Sequence, residues 1–141
     1  MTETINVPIG AVAVTTYGVL QYETVSALME MRAHVEAAGL RCPWFFVPGS
    51  LVDRARNQAV LTMLNNPQKL GWLLFVDGDA VFTPDALTKI LMTAYKEHPE
   101  ADVVGGYCTL RGEPYLPTID TGTGTWESVL PGQGVMEVMR K

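Results

Sequence analysis

Trp72-Leu73-Leu74-Phe75-Val76 is apolar at every position and ends abruptly at Asp77-Gly78-Asp79. A run this short cannot span a bilayer, which takes roughly 18–20 apolar residues. Its lack of polar alternation predicts a strand covered on both faces in a parallel sheet, the most buried strand of the chain, with two carboxylates at its carboxyl end. Two comparable runs come earlier. Gly10 to Thr16 (GAVAVTT) stops at Tyr17-Gly18, and Trp44 to Val47 (WFFV) is closed by Pro48-Gly49. Each reads as a buried strand followed by a loop.

The intervals between these runs carry helical signals. From Tyr22 to Ala38, Val25, Leu28, Met29 and Val35 share a helical face, and Gly39 supplies a stop. Ser50 opens a second helix running to about Leu64, where Asn65-Asn66-Pro67 ends it, and Ser50 with Asp53 has the spacing of a capping box. Thr83 is placed to cap a third helix with Pro84 in its first position, followed by Leu87, Ile90, Leu91, Ala94 and Tyr95 at helical spacing and by Pro99 as terminator. Val103-Val104 begins a fourth strand leading into Gly105-Gly106-Tyr107. Strands alternating with helices in this way predict a doubly wound α/β layout over residues 10–110. Beyond Leu110, Arg111-Gly112-Glu113-Pro114 and Pro131-Gly132-Gln133-Gly134 are turn sequences, so 111–141 reads as a β-hairpin extension of a single domain.

Composition narrows the function classes. With 141 residues, 48% hydrophobic and 18% charged, the chain can bury a core without staples and is not a disordered tail. A net charge of −5 offers no basic footprint for nucleic acid or anionic lipid. Met1 to Pro8 contains Glu3 and no positive residue, so no secretory signal is expected, and a cytoplasmic location is the default. Cys42 and Cys108 lack any metal-ligand spacing and are expected as reduced, half-buried thiols. His34 and His98 read as surface or helix-end residues, and the seven methionines as core packing.

In an open α/β sheet, ligands bind outside the carboxyl ends of the strands, where Asp77 and Asp79 are expected. Two carboxylates separated by Gly78 suit Mn²⁺ or Mg²⁺, and Gly78 lets a ligand approach the backbone. The same nine residues, Leu73 to Val81, also satisfy the pattern of haloacid-dehalogenase-like phosphatases, with Asp77 as nucleophile and Asp79 as acid or base. That family puts its motif on the first strand and supplies a later pair of acids. Here two strand–helix units precede it and no such pair is found.

The second concentration of polar chemistry is Asp53-Arg54-Ala55-Arg56-Asn57. Arginines near a helix start, beside a carboxylate pair, are suited to bidentate hold on phosphate. A solvated salt-bridge face is the alternative for Arg54. Taken together, the strand ending Thr15-Thr16-Tyr17, the Ala55-Arg56-Asn57 helix, Leu73–Asp79 (LLFVDGD) and Thr83-Pro84-Asp85-Ala86-Leu87 resemble the inverting glycosyltransferase family two, of the GT-A fold. Val103 to Tyr107 is similar to the strand that follows in that family, and the match spans Ala11 to Tyr107.

The resemblance implies a Rossmann-like GT-A three-layer sandwich with a mostly parallel sheet and a UDP- or GDP-linked sugar as donor. Thr15, Thr16 and Tyr17 would touch the nucleoside, Asp53, Arg56 and Asn57 would line the nucleotide side, and Asp77 would face ribose or sugar. Asp79, with Asp77, would hold the metal between the phosphates. In the family an acceptor-binding half follows, carrying the catalytic base. Only Thr118 to Lys141 remains for it, and Asp120, Glu127 and Glu137 lack the family's acid-rich context, so no base or acceptor is assigned and the donor half alone is expected. The non-catalytic alternatives are a domain that binds nucleotide or metal without turnover and one that self-associates as a homo-oligomer.

Overall fold

A computed structural model describes residues 6–49 and 51–106. The chain divides into two units, Met1–Val104 and Gly105–Lys141. The hairpin extension, Tyr107 and Cys108 lie outside the described residues. The first unit is α/β. Strands β1 (Ala11–Thr16), β2 (Trp44–Pro48) and β3 (Leu73–Asp77) alternate with helices α1 (Tyr22–Ala37), α2 (Val52–Leu64) and α3 (Ala86–Met92).

Among the described residues the strand pairings are parallel, in the order β2-β1-β3. The chain steps outward from β1 to β2 and then back across β1 to β3. Right-handed crossovers running in opposite directions put their helices on opposite faces. The packing agrees. Val12, Val14 and Val76 meet Leu28, Met31 and Val35 of α1 and Leu87 and Leu91 of α3. On the other face, Ala13 and Val47 meet Ala55 and Ala59 of α2. The first unit thus has helices on both faces of a three-stranded sheet.

The central strand is β1, not β3. Ala11 to Thr15 are all buried, whereas Val76 is the one buried residue of β3 and Phe75 is 37% exposed. The apolar run of β3 packs on both faces, Leu74 and Val76 on one and Leu73 on the other, but it does not mark the most buried strand. Pairing decides the outcome: β1 has a neighbour on each side, and β3 has only β1 among the described residues. The start of β3 is fastened to the start of β1 by Trp72, whose indole lies against Gly10 and donates to the Pro8 carbonyl at 2.7 Å. A Cβ at residue 10 would fall inside that ring.

Helix α1 ends where the sequence predicts. Gly39 has φ +76°, its N–H donates to the Glu36 carbonyl, and the Leu40 N–H reaches back to the Val35 carbonyl. That pair of bonds is a Schellman closure, which requires a left-handed residue and so favours glycine. The buried stripe is rotated from the expected one. Thr24, Ala27, Leu28, Met31 and Val35 face the sheet, while Met29 is 68% exposed and Val25 is also exposed. Hydropathy favours Val25 and Met29 over Thr24 and Ala27, but a helix lying close to a sheet selects the smaller side chains. Met29 and Met92 are exposed, so core packing does not account for every methionine.

Three further expectations are corrected. Helix α2 starts at Val52 with Leu51 at its N-cap and no side-chain cap, so Asp53 is not half of a capping box; Ser50 lies outside the described residues. Helix α3 starts at Ala86 with Asp85, not Thr83, at its N-cap, and Thr83 Oγ1 donates to Asp85 Oδ1 at 2.6 Å. It passes into a π-helical turn, Thr93–Glu97, closed by the His98 N–H on the Thr93 carbonyl. Residues 103–106 form no strand, and Val103 is 89% exposed. No helix among the described residues is long and apolar enough to cross a membrane.

The rotated stripe gives a direct test by urea denaturation. Leu87→Ala removes a fully buried side chain from the α1/α3 face and should cost about 2–5 kcal/mol. Met29→Ala should change stability by less than about 0.5 kcal/mol. Comparable losses for the two would contradict the packing.

Candidate functional site

At the carboxyl edge of the sheet, the connections after β1 and β3 lead to one face and that after β2 leads to the other. Neighbouring connections therefore part between β1 and β2, while the polar side chains gather at the ends of β1 and β3 on the α2 face. Thr15 of β1 stands opposite Asp77 of β3 in register, and Thr15 Oγ1 donates to Asp77 Oδ1 at 3.0 Å. Thr15 is buried and Asp77 is half exposed, so the central strand anchors a carboxylate that opens to water.

Arg56 reaches the same carboxylate from α2. Its Nη2 lies 3.2 Å from Asp77 Oδ1 and 3.4 Å from Oδ2, while the guanidinium carbon sits 5.9 Å from the centre of the Phe75 ring. The geometry follows from alternation along β3. Phe75 and Asp77 point to the α2 face, and Val76 points to the α1/α3 face, where it joins the core. Arg56 follows buried Ala55 directly, which places it at the margin of the helix–sheet contact. With 46% and 53% side-chain exposure, the pair contributes about 0.2–1 kcal/mol to folding.

The turn after β3 is held tightly. The Ala80 N–H donates to the Asp77 carbonyl at 3.0 Å, and the Gln21 N–H donates to the Gly78 carbonyl at 3.3 Å. A Cβ on Gly78 would stand 3.2 Å from the Thr15 carbonyl oxygen, from Thr16 Cβ and from Leu20 Cδ2. The absent side chain thus makes room for the end of β1.

The residues singled out from sequence do not all converge. Thr15, Arg56 and Asp77 meet. Thr16 closes its own loop, donating to the Val19 carbonyl at 2.8 Å and accepting from the Gly18 N–H at 3.2 Å. Tyr17 is 73% exposed in that loop. Asp53, Arg54 and Asn57 are exposed on α2, and none joins the Arg56–Asp77 pair among the described residues. Asp79 is exposed in the turn two positions beyond Asp77. Among the described residues, no group of three acidic, histidine or cysteine side chains is gathered as a metal cage. Phe75, the platform beneath Arg56, was read from sequence only as strand filling. Its position two residues before Asp77, hence on the same face, is the signal that could have found it.

A concavity of about 590 Å³ lies at the opposite edge of the sheet, where α1 ends and β2 begins. Arg32, Glu36, Arg41, Cys42 and Trp44 line it. Arg32 is engaged by Glu36 at 2.9 Å. Burial pushes the Cys42 thiol up from its ordinary value, against smaller opposing effects of a Trp44 hydrogen bond and the Arg32 charge. A raised thiol stays protonated at neutral pH and is a poor nucleophile. Cys42 is a free cysteine, as expected.

Comparison of the chain with protein-family models, with curated proteins and with solved structures gives no match.

Two outcomes follow from this geometry. Thr15→Val removes the buried hydroxyl donor to Asp77 and should lower stability by about 1 kcal/mol in urea titrations, with little dependence on salt. In a Cys108→Ser background, the pH profile of Cys42 alkylation by iodoacetamide should lie at higher pH than that of a cysteine peptide. A profile at or below the peptide's would contradict the buried thiol.

Proposed function

We propose that the carboxyl edge of this sheet binds a nucleotide-diphospho-sugar through a divalent metal, in the manner of a GT-A glycosyltransferase of family two. The observation that supports this best is the meeting of Thr15, Arg56 and Asp77. They come from three segments that the resemblance assigns to one donor pocket, and they are brought together by strand order and register. The small parallel sheet with helices on both faces is compatible with a Rossmann-like core of that kind.

Asp77 and Asp79 offer only oxygen donors, half exposed to exposed, on a turn held by backbone hydrogen bonds. Such a set suits Mn²⁺ or Mg²⁺, which bind through one or two carboxylates and complete their shells with water and substrate phosphate. When bound, the metal would offset charge on the leaving nucleoside diphosphate. Arg56 supplies further donors for a phosphate oxygen, and Tyr17 is an exposed aromatic surface in the loop after β1, available to a base or sugar ring. Sugar transfer to an acceptor hydroxyl requires a carboxylate base, and none of the described residues is assigned that role. Donor binding is therefore the function proposed for this unit, with transfer depending on an acceptor half.

Calorimetric titration with UDP and with GDP, each with and without Mn²⁺, tests this reading. One nucleotide should bind with Mn²⁺ and weaken at least about tenfold without it, and Asp79→Ala should abolish the metal dependence. Absence of binding by both nucleotides at millimolar concentration would overturn the proposal.

A further inference from the structure

Arg56 Nη2 is nearly equidistant from the two carboxylate oxygens of Asp77, at 3.2 and 3.4 Å. A single cationic nitrogen between both oxygens occupies the place that a cation chelated by that carboxylate would take. The carboxylate cannot easily turn away to offer another approach, because Thr15, buried on the central strand, fixes Oδ1 from behind. Arg56 is the movable partner. It stands on the exposed side of α2, where its guanidinium contacts the Asp77 carboxylate and the Phe75 ring.

From this arrangement we propose that Arg56 is a built-in competitor for the divalent cation. It holds Asp77 until the cation displaces it, and the displaced guanidinium is then released toward the anionic ligand. This rests on the proposed reading for the identity of the cation and extends it by giving Arg56 two alternating partners. Two positive charges on one carboxylate repel each other, and a cation seated between the two oxygens takes the position of Arg56 Nη2, so binding of the metal there and the Arg56 contact compete. Each end of the exchange is favourable: the carboxylate passes from a monovalent to a divalent cation, and the fork of Arg56 passes to phosphate oxygens that match its geometry.

Titration with Mn²⁺ alone, followed by water-proton relaxation, reads the competition without any nucleotide. Arg56→Gln should bind Mn²⁺ about twofold to fivefold more tightly than the unaltered chain, the upper part of the range an exposed ion pair commands. Arg54→Gln removes an equal charge from the same helix and should change affinity by less than about twofold, since solvent screens it. In an Asp77→Asn background the gain from Arg56→Gln should vanish. No tightening in Arg56→Gln, an equal gain in Arg54→Gln, or a gain that survives Asp77→Asn would each overturn the proposal. All of these side chains are exposed or half exposed, and circular dichroism of each variant confirms its fold. Failure of UDP and GDP to bind would remove the donor reading and leave the Mn²⁺ competition readable by itself.

Discussion

Parallel pairing of β1 with both of its neighbours is the constraint on which the rest of the described unit depends. In register, Val12 is flanked by Trp44 and Leu74, and Thr15 by Val47 and Asp77. Because β1 supplies hydrogen bonds on both edges, its side chains are sealed on both faces, and small or β-branched residues suffice to fill it. Ala11 and Ala13 leave the α2 face shallow, so α2 can approach through Ala55 and Ala59 alone. Val12 and Val14 present a deeper surface, filled by Leu28, Met31, Val35, Leu87 and Leu91. The asymmetry of the two layers is thus written in the alternation of one strand.

The same alternation delivers the chemistry. On the shallow face the sequence of β1 ends in Thr15 and that of β3 in Phe75 and Asp77. The helix on that face carries Arg56 beside the alanine that packs down. A bulkier residue at position 55 or 59 would lift α2 from the sheet and take Arg56 out of reach of Asp77. A side chain at position 78 would collide with the end of β1 and tilt the turn that sets the Asp77 carboxylate.

Much of this was legible in the sequence. The three apolar runs and the glycine after α1 name the strands and one helix end directly, because backbone conformation and burial of short apolar segments are local properties. The Asp77 and Arg56 chemistry was also visible as residue types following a strand and opening a helix. What sequence could not give was the order β2-β1-β3, since pairing is decided by which crossover packs, and no local signal encodes it. Two differences concern packing of this kind. The apolar richness of β3 suggests the most buried strand, which is β1, and hydropathy ranks Val25 and Met29 above the buried Thr24 and Ala27. Val103 failed as a strand for a related reason: two β-branched residues express a preference that pairing has to fulfil.

Separation of what holds the fold from what forms the site is the property that makes the site usable. The Arg56–Asp77 pair is too exposed to contribute much to stability, and solvent supplies alternative partners to both groups. Its geometry is set from below by the Thr15 hydroxyl, the β1–β3 register and the Gly78 contact, none of which involves Arg56. A ligand that exchanges for one member of the pair therefore disturbs a contact of small net worth while the framework that aims Asp77 stays in place. Were the pair buried, removing Arg56 from Asp77 would leave an uncompensated charge in the core, and exchange would carry a cost comparable to a large part of the stability of so small a unit. Exposure at the rim of a rigid parallel sheet is what lets one carboxylate be both precisely held and free to change partners.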